Sequence, residues 1–186
     1  FSIVSYTGNA TTGATFGHGL SQRPDWVMIK QRTDGSNSNW LVWHQSLTGH
    51  SYYLHLDTTG KQETNTAFFT NFGASTITLG NANHTNGNGD DLIAYCWHGV
   101  EGFSKFGSYE GNSSADGAFV YLGFKPAFVM IKTIDTIAET GYGSWIMMDN
   151  KRTPNNPGAH NTGVLYADSS RTEGHRPGGS DSASSE

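Results

Sequence analysis

Residues 103–132, FSKFGSYEGNSSADGAFVYLGFKPAFVMIK, repeat the pattern of residues 1–30, FSIVSYTGNATTGATFGHGLSQRPDWVMIK. Two motifs are shared, a Ser-Tyr-x-Gly-Asn motif and a Val-Met-Ile-Lys motif. They begin at Ser5 and Val27 in the first copy and recur in the same order in the second. A match in fixed order over this distance predicts one unit of about 100 residues that is used twice.

The repeat continues beyond these motifs, with insertions. Trp40 corresponds to Trp145, and LHLDTT at 54–59 corresponds to LYADSS at 165–170. We therefore predict a first β repeat over residues 1–101, a second and incomplete β repeat over 102–173, and a polar Gly/Ser-rich tail over 174–186. Nothing in the second copy matches AFFTNFGASTITLG or DLIAYCW of the first, so we expect a fragment or a processed piece.

The composition favours a β-rich and turn-rich protein. Charged residues make up 15 % of the chain and aromatic residues 12 %, and 24 of the 186 residues are Gly. The strong helix formers Leu, Ala, Glu and Lys are scarce. A net charge of −5 without a basic run argues against nucleic acid as a partner. No apolar stretch approaches the roughly 20 residues that span a membrane.

Short alternating runs between turn signals predict roughly a dozen strands. In the second copy, strands are expected over residues 103–109 and 117–124. Residues 25–31, DWVMIKQ, are nearly all apolar, which favours a strand buried on both faces over a buried helical turn. Residues 81–91, NANHTNGNGDD, form the most polar loop and are expected to be exposed. The pattern predicts an all-β fold, an antiparallel β-sandwich of lectin or jelly-roll type built from two related halves, and we favour one large sandwich over two in tandem.

Two aromatic clusters, WLVWH at 40–44 and WH at 97–98, are candidates for ligand binding. Exposed Trp side chains can stack on sugar rings, while His side chains hydrogen-bond to hydroxyls. Packing between sheets is the competing interpretation, because Trp40 and Trp43 alternate onto opposite faces of a strand. The candidate carbohydrate-binding residues are Trp40, Trp43, His44, Trp97 and His98.

A glycoside hydrolase or lyase is the alternative, because glycoside hydrolysis uses two carboxylates that flank the bond. No spacing selects a pair, so no catalytic residue is assigned. Asp57 and Glu63 recur as Asp168 and Glu173, and a feature of both halves is more typical of the fold than of an active site. The candidate carboxylates are Asp57, Glu63, Asp90, Asp91 and Glu101. The first residues to mutate in a test for catalysis are Asp57, Asp91, His98 and Glu101.

Neither a metal site nor a cofactor is predicted. The eight His residues are scattered, and none lies in an HxH or HExxH spacing. Cys96 is the single cysteine and lies in the apolar run LIAYCW, so we interpret it as a buried small hydrophobic residue.

Residues 101–132 closely resemble a segment of an uncharacterised repeat domain of tailed-phage proteins. Those are large virion proteins, often of marine phages, in which the domain lies among lectin-like β-sandwich modules. The resemblance implies a virion appendage or tail fibre and transfers no catalytic residue. The chain departs from the domain at GHRPGGSDSASSE, where an apolar strand is expected. Further motifs that resemble it are PDWVMIK at 24–30, WHQSL at 43–47, AYCWH at 94–98 and NKR at 150–152.

These observations predict a structural or receptor-binding module of a phage virion appendage. Its expected partners are other copies of itself, other virion proteins and host-surface polysaccharide, and neither nucleic acid nor membrane. We expect assembly in the host cytoplasm and later exposure outside the cell on the virion. A capsid-decorating or filament subunit without a ligand is the third hypothesis.

Overall fold

The structure, a computed structural model, shows an all-β fold with antiparallel sheets, which confirms the predicted sandwich-like β class. It divides into two compact units, Phe1–His55 with Gln62–Lys125, and Leu56–Lys61 with Pro126–Glu186. The predicted tail, 174–186, lies outside the described residues. No helix within the described ranges is long and apolar enough to cross a membrane. The described residues are 1–33, 39–114, 116–135, 143–152, 163–170 and 173.

The first unit contains two antiparallel sheets. The strands of the larger sheet are β1 (Ser2–Thr7), β3 (Trp26–Gln31), β4 (Leu41–His44), β5 (Tyr52–His55), β6 (Glu63–Thr64) and β9 (Asp91–Trp97). Their order across the sheet is β1-β9-β3-β4-β5-β6. The strands of the smaller sheet are β2 (Thr15–Gly17), β7 (Phe69–Phe72) and β8 (Thr76–Leu79), in the order β2-β8-β7. A short helix, α1 (Asn83–Asn86), precedes β9.

The core of the first unit lies between the two sheets. Directly opposed residues of an antiparallel pair share a face, and Val27 lies opposite both Cys96 and Trp43. All three are buried. Aromatic contacts join this face to the smaller sheet, since Trp43 stacks on Phe72 with ring centroids 3.7 Å apart. The sandwich is therefore closed by alternate side chains of β3, β4 and β9.

The expectation that residues 25–31 are buried on both faces is wrong. Exposure along β3 alternates, with Val27, Ile29 and Gln31 buried and the residues between them partly exposed. The reason is that the smaller sheet covers one face of the larger sheet only. Trp26, Met28 and Lys30 lie on the other face of β3, which the smaller sheet does not cover.

The second unit contains one described sheet, β10-β11-β12. Its strands are β10 (Phe128–Ile131), β11 (Ile146–Asp149) and β12 (Leu165–Tyr166).

The internal repeat extends to the register of strand pairing. Ile29 of β3 lies opposite Leu41 of β4, and their counterparts Ile131 and Ile146 lie opposite each other in β10 and β11. The pairings β4–β5 and β11–β12 correspond residue for residue in the same way. The two copies therefore build the same three-stranded arrangement, to which the first copy adds further strands.

The strands expected over residues 103–109 and 117–124 do not form. The structure shows only an isolated bridge between Val100 and Ser104 near the first of these segments. In the first copy, β1 forms by pairing with β9 along its whole length. The described residues include no counterpart of β9 in the second copy, so the counterpart of β1 has no strand to pair with.

The polar loop at 81–91 is not fully exposed, which corrects the expectation. It contains α1, and Asn86 is 1 % exposed. The Asn86 side chain accepts a hydrogen bond from the Asn9 backbone N–H and donates to the carbonyls of Thr11 and Gly80. A buried amide is tolerated when its hydrogen bonds are made, and here they tie the loop between β1 and β2 to the loop between β8 and β9.

Candidate functional site

The outer face of the larger sheet carries neighbouring aromatic rings, which we call the aromatic face. Trp26 lies opposite Trp97, and their rings stack with centroids 5.0 Å apart. Phe1 also stacks on Trp97, at 5.6 Å. Tyr95 contacts Trp97 at 6.2 Å and Trp40 at 6.0 Å. The aromatic face consists of Phe1, Trp26, Trp40, Tyr95, Trp97 and Phe106.

Part of the aromatic face is accessible to solvent. Phe1 is 73 % exposed, and the other five members are half-buried. Ile3 of β1 lies on the same side and is 53 % exposed. Toward β4 and β5 this side of the sheet is covered, because Val42 and Leu54 are buried. The accessible area therefore lies over β1, β9 and β3.

Hydrogen bonds fix the loop after β9 beside the aromatic face. The Asp25 carboxylate accepts a hydrogen bond of 2.6 Å from the Gly99 N–H. The Gln45 side-chain amide donates to the Phe106 carbonyl at 3.1 Å. The Phe106 ring is thereby held with its centroid 6.0 Å from that of Trp26. Residues next to the ends of β3 and β4 thus position the Phe106 ring, although Phe106 belongs to neither strand.

Two histidines at this end of the sheet have defined tautomers when neutral. His44 Nδ1 accepts a hydrogen bond from the Ser46 N–H at 3.0 Å, which leaves Nε2 as the protonated nitrogen. His98 Nδ1 lies 2.7 Å from the Gly99 carbonyl oxygen and must donate to it, which leaves Nε2 as an acceptor. The Nε2 atom of neutral His44 is therefore a hydrogen-bond donor, and the Nε2 atom of neutral His98 is an acceptor.

The structure places Trp43 in the core, so we remove it from the candidate binding residues. Its side chain is 2 % exposed, and its Nε1–H donates to the Gly49 carbonyl at 3.3 Å. The Arg23 guanidinium lies 5.2 Å from the centre of its ring. The physical reason is strand alternation, which turns Trp43 toward the smaller sheet while His44 faces the other side.

The sequence reasoning missed Phe1, Trp26, Tyr95 and Phe106. Alternation gives Tyr95 the same face as Trp97, so this signal was available in the sequence. Trp26 was hidden by the interpretation of β3 as doubly buried. Phe106 has no sequence signal, because hydrogen bonds from a distant part of the chain place it.

The candidate carboxylates take part in contacts between strands. The Tyr53 hydroxyl donates to Glu63 at 2.9 Å across the β5–β6 pair. The Thr7 hydroxyl donates to Asp91 at 3.2 Å across the β1–β9 pair. These contacts support a role in the fold. The remaining candidate acids are exposed or half-exposed: Asp57, Asp90 and Glu101.

Cys96 is fully buried, as the sequence predicted. Burial raises the pKa of its thiol to about 12, so the reactive thiolate is disfavoured at neutral pH. Within the part of the chain that the structure describes, no group of three or more His, Cys, Asp or Glu side chains could hold a metal ion.

Burial of His44 makes the stability of the fold sensitive to acid. It lowers the pKa of His44 below the ordinary value of 6.5, and Asp25 opposes this shift only in part. The folded chain then binds fewer protons at His44 than the unfolded chain does. Its contribution to stability is complete above about pH 6.5 and is lost as the pH falls from there toward the lowered pKa of the folded state.

We therefore expect His44→Asn to reduce the loss of thermal stability between pH 7.5 and pH 5. The Asn side-chain oxygen can still accept from the Ser46 N–H, but it does not titrate. Melting temperatures of the wild type and the variant across this range provide the measurement. An equal decrease in both proteins would show that His44 does not contribute to acid sensitivity.

Comparison of the chain with curated proteins and with solved structures gave no match. Residues 1–183, in contrast, match a family described as a domain of unknown function, DUF7483. Because this match spans nearly the whole chain, the protein belongs to the DUF7483 family.

Proposed function

We propose that this chain is a non-catalytic module that binds carbohydrate through the aromatic face. The observation that supports the proposal is the run of half-exposed, mutually contacting rings over β1, β9 and β3. Aromatic rings offer flat apolar surfaces at a low cost in conformational entropy, and their edges and heteroatoms remain available to polar groups. A sugar has the matching combination of apolar ring faces and hydroxyl groups.

The polar groups around the aromatic face fit a polyhydroxylated ligand. A hydroxyl group both donates and accepts hydrogen bonds, and the His44 and His98 imidazoles provide one nitrogen of each kind. The Trp26 indole N–H is buried and has no acceptor among the described residues. Because this N–H is covered by protein atoms, Trp26 contributes its ring surface and not a hydrogen-bond donor to the proposed site.

The proposed setting is a phage tail fibre or a related virion appendage, on the basis of the resemblance described above. Each site would be weak by itself, since most of its rings are only half exposed. Display of many copies on one particle would raise the overall affinity, because later binding events become intramolecular. The proposed ligand is polysaccharide on the host surface.

A structural role in assembly is the second candidate, and a different surface favours it. Segments that follow β9 expose large apolar side chains, with Phe103 79 % exposed, Phe119 88 % and Tyr121 72 %. Large apolar side chains that are exposed to this degree are candidates for protein–protein contacts. The two roles are compatible, because they use different residues.

Variants at the aromatic face test the proposed function. On an array of bacterial surface polysaccharides, we expect Trp26→Ala and Trp97→Ala to weaken binding by at least about tenfold, because each removes a stacking surface. Phe119→Ala is the matched control, since it removes an exposed aromatic ring outside this face and should bind as the wild type does. Thermal unfolding of each variant verifies that it remains folded.

Two results would contradict the proposal. One is equal binding by the wild type and by folded variants of Trp26 and Trp97. The other is absence of binding by the wild type across the whole array. A stable multimer without binding would then favour the assembly role, and release of reducing sugar from the array polysaccharides would favour the hydrolase.

A further inference from the structure

The two copies of the repeat differ in what lies beside their central strand. In the first copy, β3 pairs with β4 on one side and with β9 on the other. Its counterpart β10 pairs with β11 and forms the edge of its sheet. No strand within the described ranges occupies the other side of β10.

Among the described residues, the open edge of β10 presents backbone groups without a strand partner. The Asn150 N–H donates to the Ala127 carbonyl at 3.0 Å, as the corresponding residues do in the first copy. The backbone N–H and C=O groups of successive residues along a strand point alternately to its two sides. Because the Ala127 carbonyl points to β11, the backbone groups of Val129 and Ile131 also point to β11. Phe128 and Met130 therefore direct their N–H and C=O groups to the open side. The Phe128 side chain is also 56 % exposed.

The first copy shows which kind of strand fits this edge. Met28, the counterpart of Met130, lies opposite Tyr95, and Ile29 lies opposite Ala94. The strand β9 runs antiparallel to β3 and alternates buried and half-buried residues over DLIAYCW. Because the register of β10–β11 reproduces that of β3–β4, the same register is available on the open side.

An independent observation in the other unit indicates that the described residues of the second copy include no counterpart of this segment. In the first copy, the Gly8 N–H donates to the Asp90 carbonyl at 2.9 Å, so the Ser-Tyr-x-Gly-Asn motif contacts the loop that leads into β9. In the second copy, a Cβ atom on Gly111 would have no neighbour within 4 Å, and Tyr109 is 52 % exposed. The described residues thus contain two separate binding elements for one kind of segment, and both are open.

We propose that the open edge of β10 is a docking site for one extended, alternately apolar polypeptide strand of the type of Asp91–Trp97. The strand adds antiparallel to β10, so that Met130 pairs with its fifth residue as Met28 pairs with Tyr95. Backbone hydrogen bonds supply the affinity, and the alternating side chains supply the specificity. An exposed apolar edge without such a partner would favour uncontrolled association. The inference does not depend on carbohydrate binding.

A synthetic peptide tests this site directly. The probe is a fluorescein-labelled peptide of residues 89–98, GDDLIAYCWH, that carries Cys96→Ala to prevent disulfide formation. Titration with the whole chain is expected to give a saturable rise in fluorescence anisotropy. Hydrogen exchange on the unlabelled complex is expected to show new protection of the Met130 amide. A peptide of the same composition in permuted order, without alternation, is expected not to bind.

Two variants of one residue separate backbone pairing from side-chain contact. Met130→Pro removes the N–H at the open edge and leaves the bonds to β11, so we expect affinity for the peptide to fall by at least about tenfold. Met130→Ala keeps the N–H and is expected to stay within about threefold of the wild type. Thermal unfolding controls for loss of structure, and the exchange experiment on the wild type does not depend on either variant.

The proposal would be overturned by absence of saturable binding, or by equal binding of the permuted peptide. Protection that maps away from β10 would also contradict it. Light scattering provides a further check, because a dimer whose β10 amides are protected without peptide would identify a second copy as the occupant and exclude the one proposed.

Discussion

Replacement of Trp43 by Ala is expected to lower the free energy of unfolding of the first unit by about 3–5 kcal/mol. The side chain is 2 % exposed and stacks on Phe72 of the opposite sheet at 3.7 Å. Its removal leaves a cavity between the sheets and deletes one of the two hydrogen bonds that the Gly49 carbonyl accepts, the other coming from the Tyr52 N–H. Chemical denaturation followed by tryptophan fluorescence and circular dichroism measures the change.

Trp40→Ala is the matched control, because Trp40 lies three residues away and is half-buried. We expect a loss of about 1 kcal/mol for this variant. A similar loss for both would contradict the assignment of Trp43 to the core and Trp40 to the aromatic face. Unchanged stability of Trp43→Ala would contradict the description of the sandwich itself.

Gly8→Ala is expected to destabilise the chain by about 3 kcal/mol. A Cβ atom at this position would lie 2.2 Å from the Gly87 carbonyl oxygen. That neighbour is backbone, so relief requires separation of the loop that leads into β9 from the turn that follows β1. The hydrogen bond from Gly8 to Asp90 would be weakened at the same time. Urea denaturation provides the comparison.

The repeat itself supplies the control for this prediction. Gly111 occupies the same position in the second copy of the motif, and a Cβ atom there would meet nothing within 4 Å. Gly111→Ala should therefore stay within about 0.5 kcal/mol of the wild type. Equal destabilisation by both substitutions would show that the two copies of the motif are in equivalent surroundings, and the inference about the missing strand would fail with it.

The fold class and the repeat could be predicted from the sequence because both depend on local order. Alternation and turn residues identify strands one at a time, and the repeated motifs show which strands correspond. The pairing of Ile131 with Ile146, which reproduces that of Ile29 with Leu41, shows how far this correspondence extends. The local sequence, however, does not determine how many neighbouring strands a given strand pairs with.

The errors about the strands after β9 and about the polar loop come from contacts that the local sequence does not specify. Residues 103–109 have the pattern of β1, but a strand forms only where a partner is present, and β9 has no described counterpart in the second copy. Asn86 is polar and yet buried, because Asn9, Thr11 and Gly80 satisfy its side chain.

The candidate site could be predicted only in part, because it also depends on contacts between distant residues. Trp97 and Trp40 were identified by residue type, whereas the contribution of Trp26 depends on its pairing with Trp97 across two strands. The position of Phe106 depends on a hydrogen bond from Gln45, which is distant in the sequence. Residue type therefore identifies candidate site residues, whereas the register of strand pairing determines which of them contact one another.

The most direct test of the proposed function uses the indole N–H signals of the five tryptophans in a ¹H–¹⁵N correlation spectrum. During titration with an oligosaccharide selected on the polysaccharide array, we predict that the signals of Trp26, Trp40 and Trp97 shift and saturate together. The signals of the buried Trp43 and Trp145 should stay in place. Saturation of binding without movement of the first three signals would contradict the assignment of the aromatic face as the ligand surface.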